Sequence, residues 1–412
     1  MTEIAWIGAA VTAARPQAVA ALLRYFRDLD VAEEAFQEAC LRALKSWPVN
    51  GPPRDPAAWL IFVGRNCALD ELRRRKKHAA LPDEELISDV EDTEAALAER
   101  LDSSAYHDDV LRLLFICCQP DLPATQQIAL ALRIVSGLSV KEIASAFLVS
   151  ETAMAQRITR AKRAMADAVV AFETPGAVER AERLTTVAAM IYLLFNEGYS
   201  ASGGDAHVRI PLCEEAIRLA RLLLRLFPGE GEIIGLTALL LLQHARAPAR
   251  LDASANIVLL DDQDRSLWNH GMIAEALVLV EKAQRLQRPG PYQMQAAIAA
   301  VHARAARPQD TDWARIDRIY GILETLQPSA VVTLNRAVAV SKVRGPAAAL
   351  AMIEPLAQPL AGYFHYFGVK GALLKDLGRA EEARVAFNQA VALARTAAEA
   401  AHIRLNLDRL GC

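Results

Sequence analysis

Residues Asp55 to Lys77 read DPAAWLIFVGRNCALDELRRRKK, an apolar opening that passes into five consecutive cations. Ile61, Ala68 and Leu72 recur on one face of a helix, and Asn66, Asp70, Arg73, Arg74 and Lys77 recur on another, because helical side chains repeat with a 3.6-residue period. One face is built for burial and the other for something polar. Arg73, Arg74, Arg75, Lys76 and Lys77 make a phosphate-facing end, where each neutralised phosphate releases counterions. The same cations also fit a plain helix C-terminus that complements the macrodipole, with Asp70 paired to Arg73 or Arg74 on a solvated surface. Taken alone, the segment favours that simpler reading.

The rest of the chain agrees with a helical fold. Of its 412 residues 53% are apolar and only 6% aromatic, and Ala, Leu and Arg dominate with few β-branched runs, the composition of helices packing on helices. We expect an all-α protein of several domains, since one core does not grow to this length. A net charge of -3 excludes a chain that adheres to nucleic acid throughout, so any DNA contact is local to its cationic clusters. No apolar run is long enough to span a bilayer, and the start MTEIAWIGAAVTAARPQ lacks the basic and apolar parts of a signal peptide, so the expected location is cytoplasmic, with no membrane partner. Cys40, Cys67, Cys117, Cys118, Cys213 and Cys412 contain no C-x-x-C pair. Neither a zinc site nor a disulfide framework is expected, and no cofactor; Cys117 and Cys118, in the apolar run LLFICCQ, read as packing ahead of redox sensing.

Composition divides the chain into residues 1–77, 78–108, 109–172, 173–290 and 291–412. The first block contains DVAEEAFQEACLRALKSWP, in which Val31, Ala35, Ala39, Leu41 and Leu44 form the expected buried stripe and Asp30, Glu33, Glu34, Gln37 and Glu38 the polar face. Trp47-Pro48 is expected to end that helix, before the breaker Asn50-Gly51-Pro52-Pro53. Residues 78–108 are acidic and poor in large apolar side chains, the composition of a tether. The third block ends in GLSVKEIASAFLVSETAMAQRITRAKRAM, where Ser139 and Ser150 are N-caps of two closely connected helices, a helix-turn-helix spacing. In such a unit the second helix meets base edges, here with Thr152, Ala153, Gln156 and Arg157, while Arg160, Lys162 and Arg163 reach phosphates. A plain α-hairpin with a basic surface is the alternative. In the last block Ala337 overlays Gly371 and Ala349 overlays Ala383 at a spacing of 34 residues, the tetratricopeptide period, which implies stacked helix pairs with a concave face for a protein or small molecule.

In this order the parts resemble bacterial sigma factors of the extracytoplasmic-function group, over residues 1–172. DVAEEAFQEACLRAL is similar to the region 2 helix that docks on core RNA polymerase, PAAWLIFVGRNCALDELRRRKK to the helix that engages the −10 promoter element, and the helix-turn-helix to region 4, which reads the −35 element. The resemblance implies that Asp30, Glu33, Glu34, Gln37 and Glu38 contact the polymerase clamp, with the flap as a second polymerase contact. It likewise implies that Arg65, Asn66, Asp70, Arg73, Arg74, Arg75 and Lys77 meet −10 DNA after a base-proximal loop at Val49 to Asp55. For the −35 element it implies Thr152, Ala153, Gln156, Arg157, Arg160, Lys162 and Arg163. The family's turn glycine is replaced by Leu148, and its Gly-Thr pair and following lysine by Thr152, Ala153 and Ala155, so an unusual −35 readout is expected. LLFNEGYSAS at Leu193 to Ser202 and LDDQDRSLWNHGMI at Leu260 to Ile273 resemble the subgroup with a long C-terminal domain, which would take over control from a separate anti-sigma factor. In those motifs Asn196, Glu197, Tyr199, Asp261, Asp262, Asp264 and Arg265 either bind a ligand or hold helix ends together, the second being the more economical use of buried polar groups.

Two other functions compete with this one. A helix-turn-helix regulator with a ligand- or protein-sensing helical domain needs only residues 109–172 and leaves the Trp59 to Lys77 helix unexplained. An enzyme using Glu197, Tyr199 and His207 lacks every familiar signature, since HExxH, a P-loop, a dinucleotide fingerprint and a nucleophile elbow are all missing from the sequence. We expect no enzymatic activity.

Overall fold

A computed structural model describes residues 5–51, 53–77, 104–118, 122–147, 149–166, 177–200, 210–250, 252, 258–394 and 397–410. All the regular structure among them is helical. The chain divides into two compact units, Met1–Leu193 and Leu194–Cys412.

The first unit opens with α1 (Ala5–Phe26), α2 (Leu29–Asn50) and α3 (Pro56–Lys77), packed pairwise against one another. Aspartates start two of them. The Asp28 carboxylate accepts from the N–H groups of Asp30 (2.9 Å) and Val31 (3.1 Å) at α2, and Asp55 accepts from Ala57 (2.8 Å) and Ala58 (3.1 Å) at α3, using donors that a helix start leaves unpaired. Trp47 is buried, stacked on Trp6 with centroids 5.9 Å apart and edge-on to Trp59 at 5.3 Å.

Two expectations for α2 are corrected. Pro48 does not end the helix, which runs on to Asn50 and closes where the Gly51 N–H, at φ +80°, donates to the Trp47 carbonyl at 2.9 Å; a proline so near the C-terminus disturbs only the last turn. Leu41 and Leu44, assigned to the buried stripe, are 55% and 47% exposed. The stripe is instead Ala32, Ala35, Phe36, Ala39, Ala43 and Trp47, small residues that bring the helices close. At Gly64 of α3 a Cβ would stand 2.8 Å from the Ala35 carbonyl oxygen.

The unit continues with α4 (Ser104–Ile116), α5 (Ala124–Ala131) extended by a π-turn over Leu132–Ser136, α6 (Val140–Ala146) and α7 (Glu151–Ala166). The tether expected to reach residue 108 is helical from Ser104; its residues 78–103 lie outside the described ones, as do Leu148 and His207. Helix α1 packs on α4 and on the π-turn as well as on α2 and α3. Its Arg15 reaches the middle of that turn, donating through Nε to the Ile134 carbonyl at 2.9 Å. Gly137 ends the turn at φ +76°, and a Cβ there would meet Arg15 Cδ at 2.8 Å. The position needs glycine twice over, for its backbone and for the space. Cys117 and Cys118 are buried and donate to the carbonyls of Leu113 and Leu114, each at 3.2 Å, which fits packing.

Helix α8 (Ala177–Ser200) carries the boundary between the units. The second unit then runs through α9 (Ile210–Leu226), α10 (Gly231–His244), α11 (His270–Arg285), α12 (Pro291–Arg304), α13 (Trp313–Leu326), α14 (Ala330–Arg344), α15 (Pro346–Ile353), α16 (Phe364–Asp376), α17 (Ala380–Leu393) and α18 (Ala397–Asp408). Helix α10 is buried from Ile233 through Leu242, an apolar rod enclosed by α9, α11 and α12. From α12 onward each helix packs on the next in sequence. Helix starts recur 34 residues apart, from Ala330 to Phe364 and from Pro346 to Ala380, and the overlaid small residues Ala337, Gly371, Ala349 and Ala383 are all buried. At Gly371 a Cβ would lie 2.6 Å from the Phe387 ring, so the small residue sets how closely α16 and α17 approach.

His302, on α12, stands edge-on to Trp313 at 5.2 Å. Burial, with Arg246 and Arg265 nearby, lowers its pKa from 6.5 to about 4. The unfolded chain therefore takes up this proton first on acidification, so the contribution is complete above pH 6.5 and is lost as pH falls towards 4. Urea unfolding of the second unit should lose on the order of 3 kcal/mol across that window, and His302→Gln should flatten the dependence; equal slopes for variant and wild type would show that this imidazole is not the cause.

Candidate nucleic-acid interface

The helix-turn-helix is fixed by its caps. Ser139 Oγ accepts from the Glu142 N–H at 3.2 Å, while the Glu142 carboxylate accepts from the Ser139 N–H and hydroxyl, both at 2.7 Å. This reciprocal box holds the Glu142 carboxyl below the usual carboxylate range. At α7, Ser150 Oγ accepts from the Ala153 N–H at 3.2 Å, and the Val149 N–H ties the connection to the Ala144 carbonyl at 3.0 Å. Met154, Ile158 and Ala161 then form the buried stripe of α7. Thr152, Gln156, Arg160 and Arg163 are exposed, with Ala153, Arg157 and Lys162 half-buried.

On α3, Asp70 is exposed and Asn66 half-buried, opposite the buried Ile61. Arg65 is half-buried, its guanidinium lying 5.7 Å from the Tyr25 ring centroid and 6.0 Å from that of Phe62. It packs on aromatic faces. Arg73, Arg74, Arg75 and Lys77 belong to the helical backbone of α3, and their side chains lie outside the described ones.

The polar face of α2 is where structure and sequence part. Asp30, Glu34, Gln37 and Glu38 are exposed, but Glu33 is buried. Its two oxygens accept from Arg15 Nη2 at 3.1 Å and from Lys162 Nζ at 2.6 Å, and Lys162 also reaches Asp30 at 3.0 Å. Arg15 adds a cation–π contact with Phe36, 5.0 Å from the centroid. The burial of Lys162 works against its charge, yet hydrogen bonds to Glu33 and Asp30 outweigh it and hold the ammonium above the ordinary lysine value. Glu33 is thus not a solvent-facing carboxylate, since it is buried against Arg15 and Lys162, and the half-buried Lys162 is engaged by Glu33 and Asp30. What sequence reasoning missed is the apolar continuation of the polar face: Leu41, Leu44 and Val49, the last 82% exposed. The available signal was that Leu41 follows Gln37 by four residues and Glu38 by three, and that Leu44 follows Leu41 by three, all at helical spacing.

In the second unit a cavity of about 850 Å³ is lined by residues that include Tyr199, Arg250, Lys342, His365, Lys375 and His402. Arg250 lies 3.5 Å from the Tyr199 ring centroid and donates to its carbonyl at 3.1 Å, while Lys342 pairs with Asp261 at 3.6 Å. Burial lowers the pKa of both His365 and His402. The neighbouring motif residues serve the fold: Asp264 caps a short turn by accepting from the Ser266 N–H at 2.9 Å, and Arg265 donates to the carbonyls of Ala305 and, at 2.8 Å, His302, closing the end of α12. Among the described residues no group of three or more His, Cys, Asp or Glu side chains is arranged to hold a metal ion, and no helix is long and apolar enough to cross a membrane.

Sigma-70 region 2 matches residues 10–78, sigma-70 region 4 matches residues 112–165, and a family of unknown function, DUF6596, matches residues 183–284. A protein of Rhizobium meliloti (strain 1021), described as uncharacterized, is 67% identical over 410 residues, covering 100% of this chain and 97% of the relative. Regions 2 and 4 are non-catalytic domains. Ser139→Ala, which removes one half of the capping box, should cost about 1 kcal/mol, read as a lower urea midpoint of the first unit, and an unchanged midpoint would deny the box any weight in folding.

Proposed function

This chain belongs to the family it shares with that Rhizobium meliloti protein, one built on sigma-70 regions 2 and 4, and from that premise we propose that it is a sigma factor of the extracytoplasmic-function group. It binds core RNA polymerase in the cytoplasm and directs initiation at promoters with −10 and −35 elements. The observation that carries this reading is the presence, in one chain and in this order, of an exposed acidic helix face, a helix ending in cations and a capped helix-turn-helix.

In this reading Asp30, Glu34, Gln37 and Glu38, continued by Leu41 and Leu44, dock on the polymerase clamp. The charges set orientation and the leucines supply apolar area. Arg73, Arg74, Arg75 and Lys77 hold DNA phosphates where strands separate, with Asn66 and Asp70 beside them, while Thr152, Gln156 and Arg157 face the −35 bases. The second unit, whose repeated helix pairs suit a tetratricopeptide-like array, controls this activity from within the chain. Its cavity, lined by both cationic and aromatic groups, supports a small-molecule ligand as the controlling signal.

Run-off transcription with purified core polymerase tests the central claim. The full chain should produce a promoter-specific transcript with no other factor present; a transcript that appears only when another sigma is added would establish the helix-turn-helix regulator instead. Arg73→Ala with Arg74→Ala should weaken promoter opening and lower the slope of log affinity against log salt by roughly 2. Arg157→Ala should alter −35 preference across a promoter panel, and a wild-type profile would remove Arg157 from the readout.

A further inference from the structure

Glu33 of α2 and Lys162 of α7 are each assigned a partner outside the chain, and in the structure each is occupied by the other. With a side chain only 8% exposed, Glu33 has one oxygen on Arg15 at 3.1 Å and the other on Lys162 at 2.6 Å. We infer that the first turn of α2 is a shared docking surface for a cation, held in the free chain by Lys162 of region 4 and surrendered to a basic surface of core polymerase on binding. This rests on the sigma-factor reading above.

Three features make the contact a clasp. Lys162 spans Asp30 and Glu33, one turn apart on α2, so its ammonium covers the start of the acidic face. A second ion pair joins the same parts of the unit elsewhere, since Asp109 on α4 receives Arg24 of α1 at 3.1 Å, while Arg112 of its own helix holds its other oxygen at 2.8 Å. Arg15 binds Glu33 on one side and the Ile134 carbonyl on the other, joining α2 to the π-turn through α1.

The electrostatics favour exchange over simple opening. Pulling Lys162 away leaves a buried carboxylate with Arg15 alone, which is costly unless another cation arrives. A partner presenting arginine or lysine to α2 supplies it. The released Lys162 then becomes available to a DNA phosphate, so polymerase binding and promoter contact are linked through one side chain: the ammonium cannot hold Glu33 and a phosphate together. Linkage of this kind is reciprocal.

The test uses the full chain and core polymerase without DNA, which separates the clasp from any role of Lys162 in promoter contact. Lys162→Glu places a third carboxylate beside Asp30 and Glu33, Lys162→Met keeps the aliphatic stem and removes the charge, and Lys162→Arg keeps the pairing. Hydrogen exchange of the free chain should rise over α7 and the first turn of α2 in the Glu and Met variants and stay near wild type in the Arg variant. Affinity for core polymerase should rise about threefold to tenfold in the Glu variant and less in the Met variant, a modest gain because Arg15 and Arg24 still hold the regions together. Exchange unchanged in both charge-removing variants overturns the clasp. Faster exchange with unchanged or weaker core affinity overturns the shared surface. Core binding by none of the four proteins overturns the sigma-factor reading and the masking with it, while the exchange data still report on the clasp.

Discussion

A buried carboxylate must find cations, and Glu33 finds two from opposite directions. That requirement explains much of the first unit. Arg15 needs an inward path from α1, which Gly137 leaves open by lacking a Cβ, and the π-turn that ends at Gly137 offers the Ile134 carbonyl to the same guanidinium. Lys162 needs α7 laid against the start of α2. A neutral residue at 33 would release these constraints together, whereas loss of one cation leaves a desolvated charge behind, the costlier of the two changes.

The two units reach stability by different chemistry. In the first, alanines on α2 and Gly64 on α3 bring backbones close, and three tryptophans fill the remaining end. In the second, α10 is enclosed on all sides as an almost wholly apolar rod, and Glu232 at its start accepts from the N–H groups of Tyr292 and Gln293 at the start of α12. The later helices repeat a local arrangement in which Ala337 and Gly371, or Ala349 and Ala383, fill matching places. The cavity is lined by these later helices together with Tyr199, Arg250 and Asp261 from earlier in the unit.

Much of this was legible in the sequence because it is local. Ser139, Glu142 and Ser150 announce their helices through hydrogen bonds that span three residues, and the 34-residue spacing emerges from the recurrence of small residues along the chain. What was not legible depends on distant partners. Nothing near Glu33 distinguishes it from Glu34, and only α1 and α7 decide that one is buried and the other not. Leu41 and Leu44 misled for the complementary reason: an apolar residue at helical spacing reads as core unless its face is left open. Pro48 misled because a breaker in the last turn loses most of its force. The cationic end of α3 could be read as a pattern, but its side chains lie outside the described residues.

The separation along the chain between Glu33 and Lys162 is 129 residues, while the helix pairs of the second unit join neighbours. Contacts of high sequence separation form late, because a long loop must close before they return any energy. During synthesis, which proceeds from the N-terminus at roughly 5–20 residues per second, the three helices of region 2 leave the ribosome before Lys162 exists. The nascent protein therefore passes through an interval in which the acidic turn of α2 is complete and uncovered, and its restraint is acquired only as translation proceeds.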